Sequence, residues 1–101
     1  MTLKEIHDLL VGTGLPVAYR AFEGRQEPPF LCYLVSGSEN FYADNKTFLK
    51  IEHIQVELYT AEKDLESEEK VELALQQLCW EKAETFIESE QVYQITYEIE
   101  V

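Results

Sequence analysis

A chain of 101 residues, 46% of them hydrophobic and 12% aromatic, suffices for one domain with a real core, and this composition excludes intrinsic disorder. Eight Lys and Arg stand against twenty Asp and Glu, a formal charge of −12, which argues against gripping phosphate backbones by counterion release or docking on anionic membranes. The imbalance is lopsided: residues 1–51 hold six acids and five bases, residues 52–101 fourteen acids and three bases.

In chain order, "TLKE" opens with a capping box, Thr2 holding the helix N-terminus and Glu5 reaching back. Leu3, Ile6 and Leu10 then recur at helical spacing, and Gly12, Gly14 and Pro16 end the helix, predicted over 3–11. "PVAYRAF" (16–22) alternates as a strand, "EGRQEPP" (23–29) reads as a loop, and "FLCYLV" (30–35) is apolar on both phases, as a central strand is. "SGS" predicts a turn, "NFYA" a return, and Asp44–Asn45 a tight turn. "TFLKIEHIQVELYT" (47–60) is the longest strand, and its phase changes midway: Leu49 and Ile51 are odd, whereas Ile54, Val56 and Leu58 are even. A bulge near Glu52 and His53, or two strands joined by a sharp bend, would produce that slip; a bulged or bent long strand is expected, with one end projecting past the core.

Residues 62–80 predict a second helix, starting near Asp64, with acids in its first turns where the helix dipole favours them and Val71, Ala74, Leu75 and Leu78 as its core stripe. "AETFIES" (83–89) gives a short strand and a turn. In "QVYQITYEIEV" (91–101), Tyr93, Ile95, Tyr97, Ile99 and Val101 take one face, and Gln94, Thr96, Glu98 and Glu100 the other. The expected architecture is a single α+β domain over 1–101: a mostly antiparallel, mixed sheet with an N-terminal helix and a second helix packed against it.

Chemistry is sparsely signalled. His7 and His53 begin no metal-binding spacing, and Cys32 and Cys79 make neither a zinc pattern nor a disulfide framework, so both read as buried free thiols. A Cys32–His53 thiol–imidazole pair is the one enzymatic arrangement the strands allow, although an apolar-flanked thiol is normally inert. Glu62, Asp64, Glu66, Glu68 and Glu69 lack the spacing of an EF-hand loop and read as a solvated helix start. The expectation is a non-enzyme without cofactor, metal or catalytic residues. No apolar run reaches the length of a membrane span and no basic-then-apolar leader opens the chain, so synthesis in the cytoplasm and no membrane partner are expected.

On an unbroken helix, Leu73 and Trp80 lie seven residues apart and nearly aligned, opposite the core stripe. Either the following chain folds back over them or they form a homo-oligomer contact, Trp being frequent at interface hot spots. The acidic face of the last strand, Glu98 and Glu100, can serve solubility, meet a basic partner, or imitate nucleic acid.

"TLKEIHDLL…TGLPVAYRAFEG…PPFLCYLV", "NFYADNKTFLKIEHIQVELYTAEKDLESEEKVE" and "ETFIESEQVYQITYEIEV" together resemble a family of small structural proteins. These are encoded in the head–tail joining region of long-tailed phages and prophages of Gram-positive bacteria, and are called minor capsid, tail-completion or tail-terminator proteins. The likeness runs over nearly the whole chain and rests on element order and these segments, not on a catalytic motif. It implies a non-enzymatic virion component at the head–tail junction, made in the host cytoplasm. It further implies a ring, often hexameric, that caps the tail tube and meets the head-closure protein, while DNA passes without being specifically bound. In such a ring Glu98 and Glu100 would line an acidic lumen or a partner face. The alternative is an acidic phage-encoded DNA mimic or inhibitor of a host nucleic-acid-binding protein.

Overall fold

The computed structural model describes the backbone of residues 1–43 and 46–100 and, of these, the side chains outside 39–51. The predicted Asp44–Asn45 turn, Val101 and the side chains of Leu49 and Ile51 lie outside the described residues. The order is α1 (Leu3–Val11), β1 (Val17–Tyr19), β2 (Phe30–Ala43), β3 (Lys46–Thr60), α2 (Leu65–Ala74), β4 (Trp80–Ile87) and β5 (Val92–Glu100). The five strands form one sheet in the order β1-β2-β3-β5-β4. Only β1 and β2 run parallel; the other three pairings are antiparallel. The fold is α+β, as the patterning predicts.

Local chemistry sets the first helix. Thr2 Oγ1 accepts from the Glu5 N–H at 3.2 Å while Glu5 Oε1 accepts from the Thr2 N–H at 3.4 Å, a closed capping box. Ile6 and Leu10 are fully buried on its inner face, and the chain leaves through Gly14, whose positive φ of 84° suits a residue without Cβ.

Both helices cover the same side of the sheet. Leu31 and Tyr33 of β2, Ile54, Val56 and Leu58 of β3, and Ile95, Tyr97 and Ile99 of β5 form one buried cluster with Ile6, Leu10, Val71 and Leu75. The odd-numbered face of the terminal strand is thus core, and β5 is held on both edges, by β3 and by β4. The opposite face carries Cys32, Gln55, Glu57, Tyr59, Gln94, Thr96 and Glu98, and among the described residues no helix lies over it. Residues 20–26 fold across one end of it. Arg20, at φ 65°, turns the chain there, Phe22 meets Phe30 edge-on at 5.4 Å, and Phe30 stacks on Tyr59 at 4.9 Å.

Three local expectations differ from what forms. β2 runs straight through "SGS" instead of turning, because Ser36 is absorbed as an extra residue between the Val35–Ile54 and Gly37–His53 pairs. The irregularity is therefore at the expected level, but on the partner strand; β3 itself passes Glu52 and His53 without a skip. A second skip passes over Phe48 of β3, between the Phe41–Leu49 and Tyr42–Thr47 pairs. Past the His53–Glu100 pair, residues 38–43 and 46–52 pair, among the described residues, only with each other. They make a two-stranded ribbon roughly 20 Å long at about 3.3 Å per residue, which gives the molecule its 50 Å long axis against 27 and 24 Å across.

The third difference is α2, which ends at Ala74, not near residue 80, and β4 begins at Trp80, three residues before the predicted strand. On a continued helix Trp80 would sit about 140° round from Leu75 and face water. Breaking the helix after Ala74 keeps Leu75 fully buried and brings both Leu78 and Trp80 against the core. Burial outweighs the helix propensity of "LALQQL".

A chain ending at Gln91 loses Ile95, Tyr97 and Ile99, each large side chain worth about 1.5–3 kcal/mol of burial, together with both ladders of β5. Against a total stability of roughly 5–15 kcal/mol, it should show no cooperative calorimetric transition.

Candidate functional site

The helix-free face has a carboxylate set into its middle. Glu57, 9% exposed, accepts from Gln55 Nε2 and Gln94 Nε2, each at 3.0 Å from Oε2, and from the Tyr59 hydroxyl at 3.1 Å from Oε1. Gln94 Nε2 also donates to the Tyr59 oxygen at 2.8 Å. Burial and then the Glu57 charge push the Tyr59 phenol up to about 12 and the Cys32 thiol, directly across the ladder, up to about 11. Glu57 gave one sequence signal, an acid between apolar neighbours in "VEL", which the strand alternation explained away.

Around this centre the acids crowd. Glu98 lies directly opposite Glu81 across the β4–β5 ladder and beside Gln55 across β3–β5; Glu100 lies opposite His53. Glu81, Glu98 and Glu100 are all exposed, and His53 Nδ1 approaches Glu100 Oε1 at 3.7 Å. Among the described residues no cation pairs with Glu81 or Glu98. Like charges directly opposite on one face destabilise a ladder, so this arrangement costs the fold something. At the other end of this face, six residues along β4 and β5 from Glu81 and Glu98, Phe30, Tyr59, Pro28, Ile87 and Val92 line a shallow cleft.

The helix side carries a second charged grouping with a different character. Glu68, 2% exposed, sits between Lys63 Nζ at 2.7 Å and Lys82 Nζ at 2.6 Å. These are ion pairs; neither carboxylate oxygen accepts a well-directed hydrogen bond. Lys63 also pairs with Glu84, and Lys82 with Glu72 at 2.8 Å, whose same oxygen accepts from the Tyr97 hydroxyl at 2.8 Å. Burial raises the pKa of Glu68 and the two ammoniums lower it further, leaving it below the usual carboxylate range. Tyr97 is held well above the ordinary phenol value, by burial first and by Glu72 next. The acid run "EKDLESEE" thus divides: Asp64 caps α2 by accepting from the Ser67 N–H at 3.0 Å, while Glu68 turns inward as a structural clamp.

The residues singled out from sequence fall as follows. Glu98 and Glu100 are on the open face, as the alternation predicts. Leu73 is 57% exposed on α2. Trp80 does not share a helix face with it: Trp80 opens β4, packs against the core and meets Tyr97 edge-on at 5.4 Å. Cys32 and His53 are not brought together, since Cys32 pairs with Glu57, four residues and roughly 13 Å along β3 from His53. His7 shares a hydrogen bond with the Tyr33 hydroxyl at 3.1 Å. Cys32 is buried and Cys79 exposed, so the expectation of two buried thiols holds for one. Among the described residues no group of three His, Cys, Asp or Glu is placed to hold a metal ion, and no helix is long and apolar enough to cross a membrane. No protein-family model matches the chain, and no curated protein matches it.

Two outcomes follow. Because the pKa of Glu68 is depressed on folding, its contribution is complete above the unfolded value near 4.5 and is lost as pH falls through the folded value. Thermal melts should therefore weaken progressively below about pH 4.5. Glu68→Gln, which leaves Lys63 paired with Glu84 alone and Lys82 with Glu72 alone, should lower the melting temperature at neutral pH by several degrees and remove part of that acid dependence. Separately, a thiol reagent at pH 8 should modify one cysteine of the native protein, Cys79, and both after denaturation.

Proposed function

We propose that this chain is a non-enzymatic structural protein of a phage head–tail connector, a tail-terminator or tail-completion subunit that assembles as a ring between the tail tube and the head-closure protein. The likeness of its segments to that family supports the reading. So does the ribbon of residues 38–43 and 46–52, whose backbone runs past the end of β5 and offers a reach toward a neighbouring subunit. The observation that carries it is the Glu81–Glu98 opposition with Glu100 beside it. A like-charge pair kept on an open sheet face at a cost in stability serves something other than folding. Facing a lumen, such carboxylates repel passing DNA over a screening length of about 8–10 Å.

The same face favours a second reading, an acidic imitation of nucleic acid that occupies a basic host protein. The two differ in where the protein is found: built into particles, or bound to a basic protein with an affinity that falls steeply with salt.

Electron microscopy of particles from a phage lacking the gene tests the first reading, with unjoined heads and tails, or tails of uncontrolled length, as the expected result. Normal particles would overturn it. Glu98→Lys adds a sharper readout. Placing a cation opposite Glu81 should stabilise the isolated domain by about 0.2–1 kcal/mol, yet lower the yield of infectious particles when supplied in place of the wild type.

A further inference from the structure

β4 is a margin of the sheet, hydrogen-bonded to β5 alone, and residues 81–86 are all exposed along it. An open strand edge invites pairing, and charged side chains normally turn strangers away. Glu81, Lys82 and Glu84 do so here. They do not turn away the same strand running in reverse. We propose that the β4 edge is a self-recognition site, joining two copies of this chain antiparallel, about a twofold axis at Ala83, into one continuous ten-stranded sheet.

Symmetry selects the register. A twofold axis normal to the sheet places odd residues opposite odd ones and even opposite even, so both helix layers fall on one side. Centring on Lys82 opposes two ammoniums, and centring on Glu84 opposes two carboxylates. Centring on Ala83 sets Lys82 of each copy opposite Glu84 of the other, and Trp80 opposite Phe86. Glu81 falls opposite Thr85, and the two small Ala83 side chains meet on the axis. Phe86 is 41% exposed, the indole of Trp80 is half-buried, and aromatic cross-strand pairs are among the stronger ones. The charged row on the helix side, Glu84–Lys63–Glu68–Lys82–Glu72, then continues across the junction with its signs still alternating. Trp80 takes part in a subunit contact on this account, through its strand and not through the α2 face. The contact closes at two copies, so it describes the free chain and stands apart from the connector reading; a ring would need a second contact.

Sedimentation across concentration and salt is the test, starting from a monomer of 11.8 kDa. The wild type should form dimers that tighten with salt, as repulsion between acidic copies is screened. Ala83→Glu puts two carboxylates on the axis, at an exposed position whose cross-strand neighbour in the monomer is the uncharged Thr96. It should raise the dimer dissociation constant at least about tenfold with the melting temperature of the monomer unchanged. In a Cys79→Ser background, Ala83→Cys should oxidise to a covalent dimer, since residues facing across an antiparallel pair lie about 4.5–5.5 Å apart at Cα, within disulfide reach. Thr85→Cys, which faces Glu81 of the second copy, should not. A wild type that stays monomeric throughout, a dimer indifferent to Ala83→Glu, or equal cross-linking at both positions would each overturn the proposal. None of these results depends on whether phage tails are completed.

Discussion

The placement of α2 depends on one buried carboxylate. Glu68 is carried into the interface between that helix and the sheet because Lys63 arrives from the β3–α2 connection and Lys82 from β4, one for each of its oxygens. A lone carboxylate there would be expelled or neutralised; two ammoniums make its burial tolerable, and Glu84 and Glu72 in turn balance the ammoniums. The grouping ties α2 to β4 through Lys82, and through the Tyr97 hydroxyl on Glu72 it is tied to the core itself. With Val71 the one fully buried apolar residue on α2 and Leu75 capping it, charge does for this helix what a longer hydrophobic stripe does elsewhere.

The two faces of the sheet therefore handle the same residue type in opposite ways. On the helix side every glutamate of the row is matched by a lysine. On the open side Glu57 is screened only by amides and a phenol, and Glu81 and Glu98 confront each other. Composition alone gives the sum of these charges and not their sorting. An acidic protein that merely needed solubility would gain nothing from placing two carboxylates opposite each other.

Element type was legible wherever period and caps agreed. The capping box at Thr2 and Glu5, the alternation from Tyr93 to Ile99 and the apolar run from Phe30 to Val35 all mark elements that form. What escaped was decided by tertiary contacts. "LALQQL" reads as helix because its residues favour one, and only the burial of Leu78 and Trp80 together explains why it breaks. The phase change after Ile51 predicts a bulge in β3 at Glu52 and His53, but β3 runs on there without a skip, and the extra residue at that level is Ser36 of β2, which nothing in the sequence of β3 marks. The open face was half visible: Glu98 and Glu100 follow from alternation, whereas the opposition to Glu81 needs the register of β4, which the overlong helix had obscured. Glu57 was hidden because a carboxylate on a polar phase needs no explanation until it proves to be buried.

The position of β5 has a kinetic consequence. It follows every other element along the chain, yet in the sheet it lies between β3 and β4. During synthesis α1, the β2–β3 hairpin and α2 emerge before β5, while β4, whose partner within the chain is β5, emerges unpaired. Until β5 arrives, β3 offers a bare apolar edge and α2 has only half a sheet to lie on. Non-local strand pairing of this kind is slow and leaves sticky intermediates in the meantime. The surplus of negative charge in residues 52–101, the stretch that includes β4 and β5, is then a safeguard on the nascent chain: it keeps half-made copies apart until the last strand slots in.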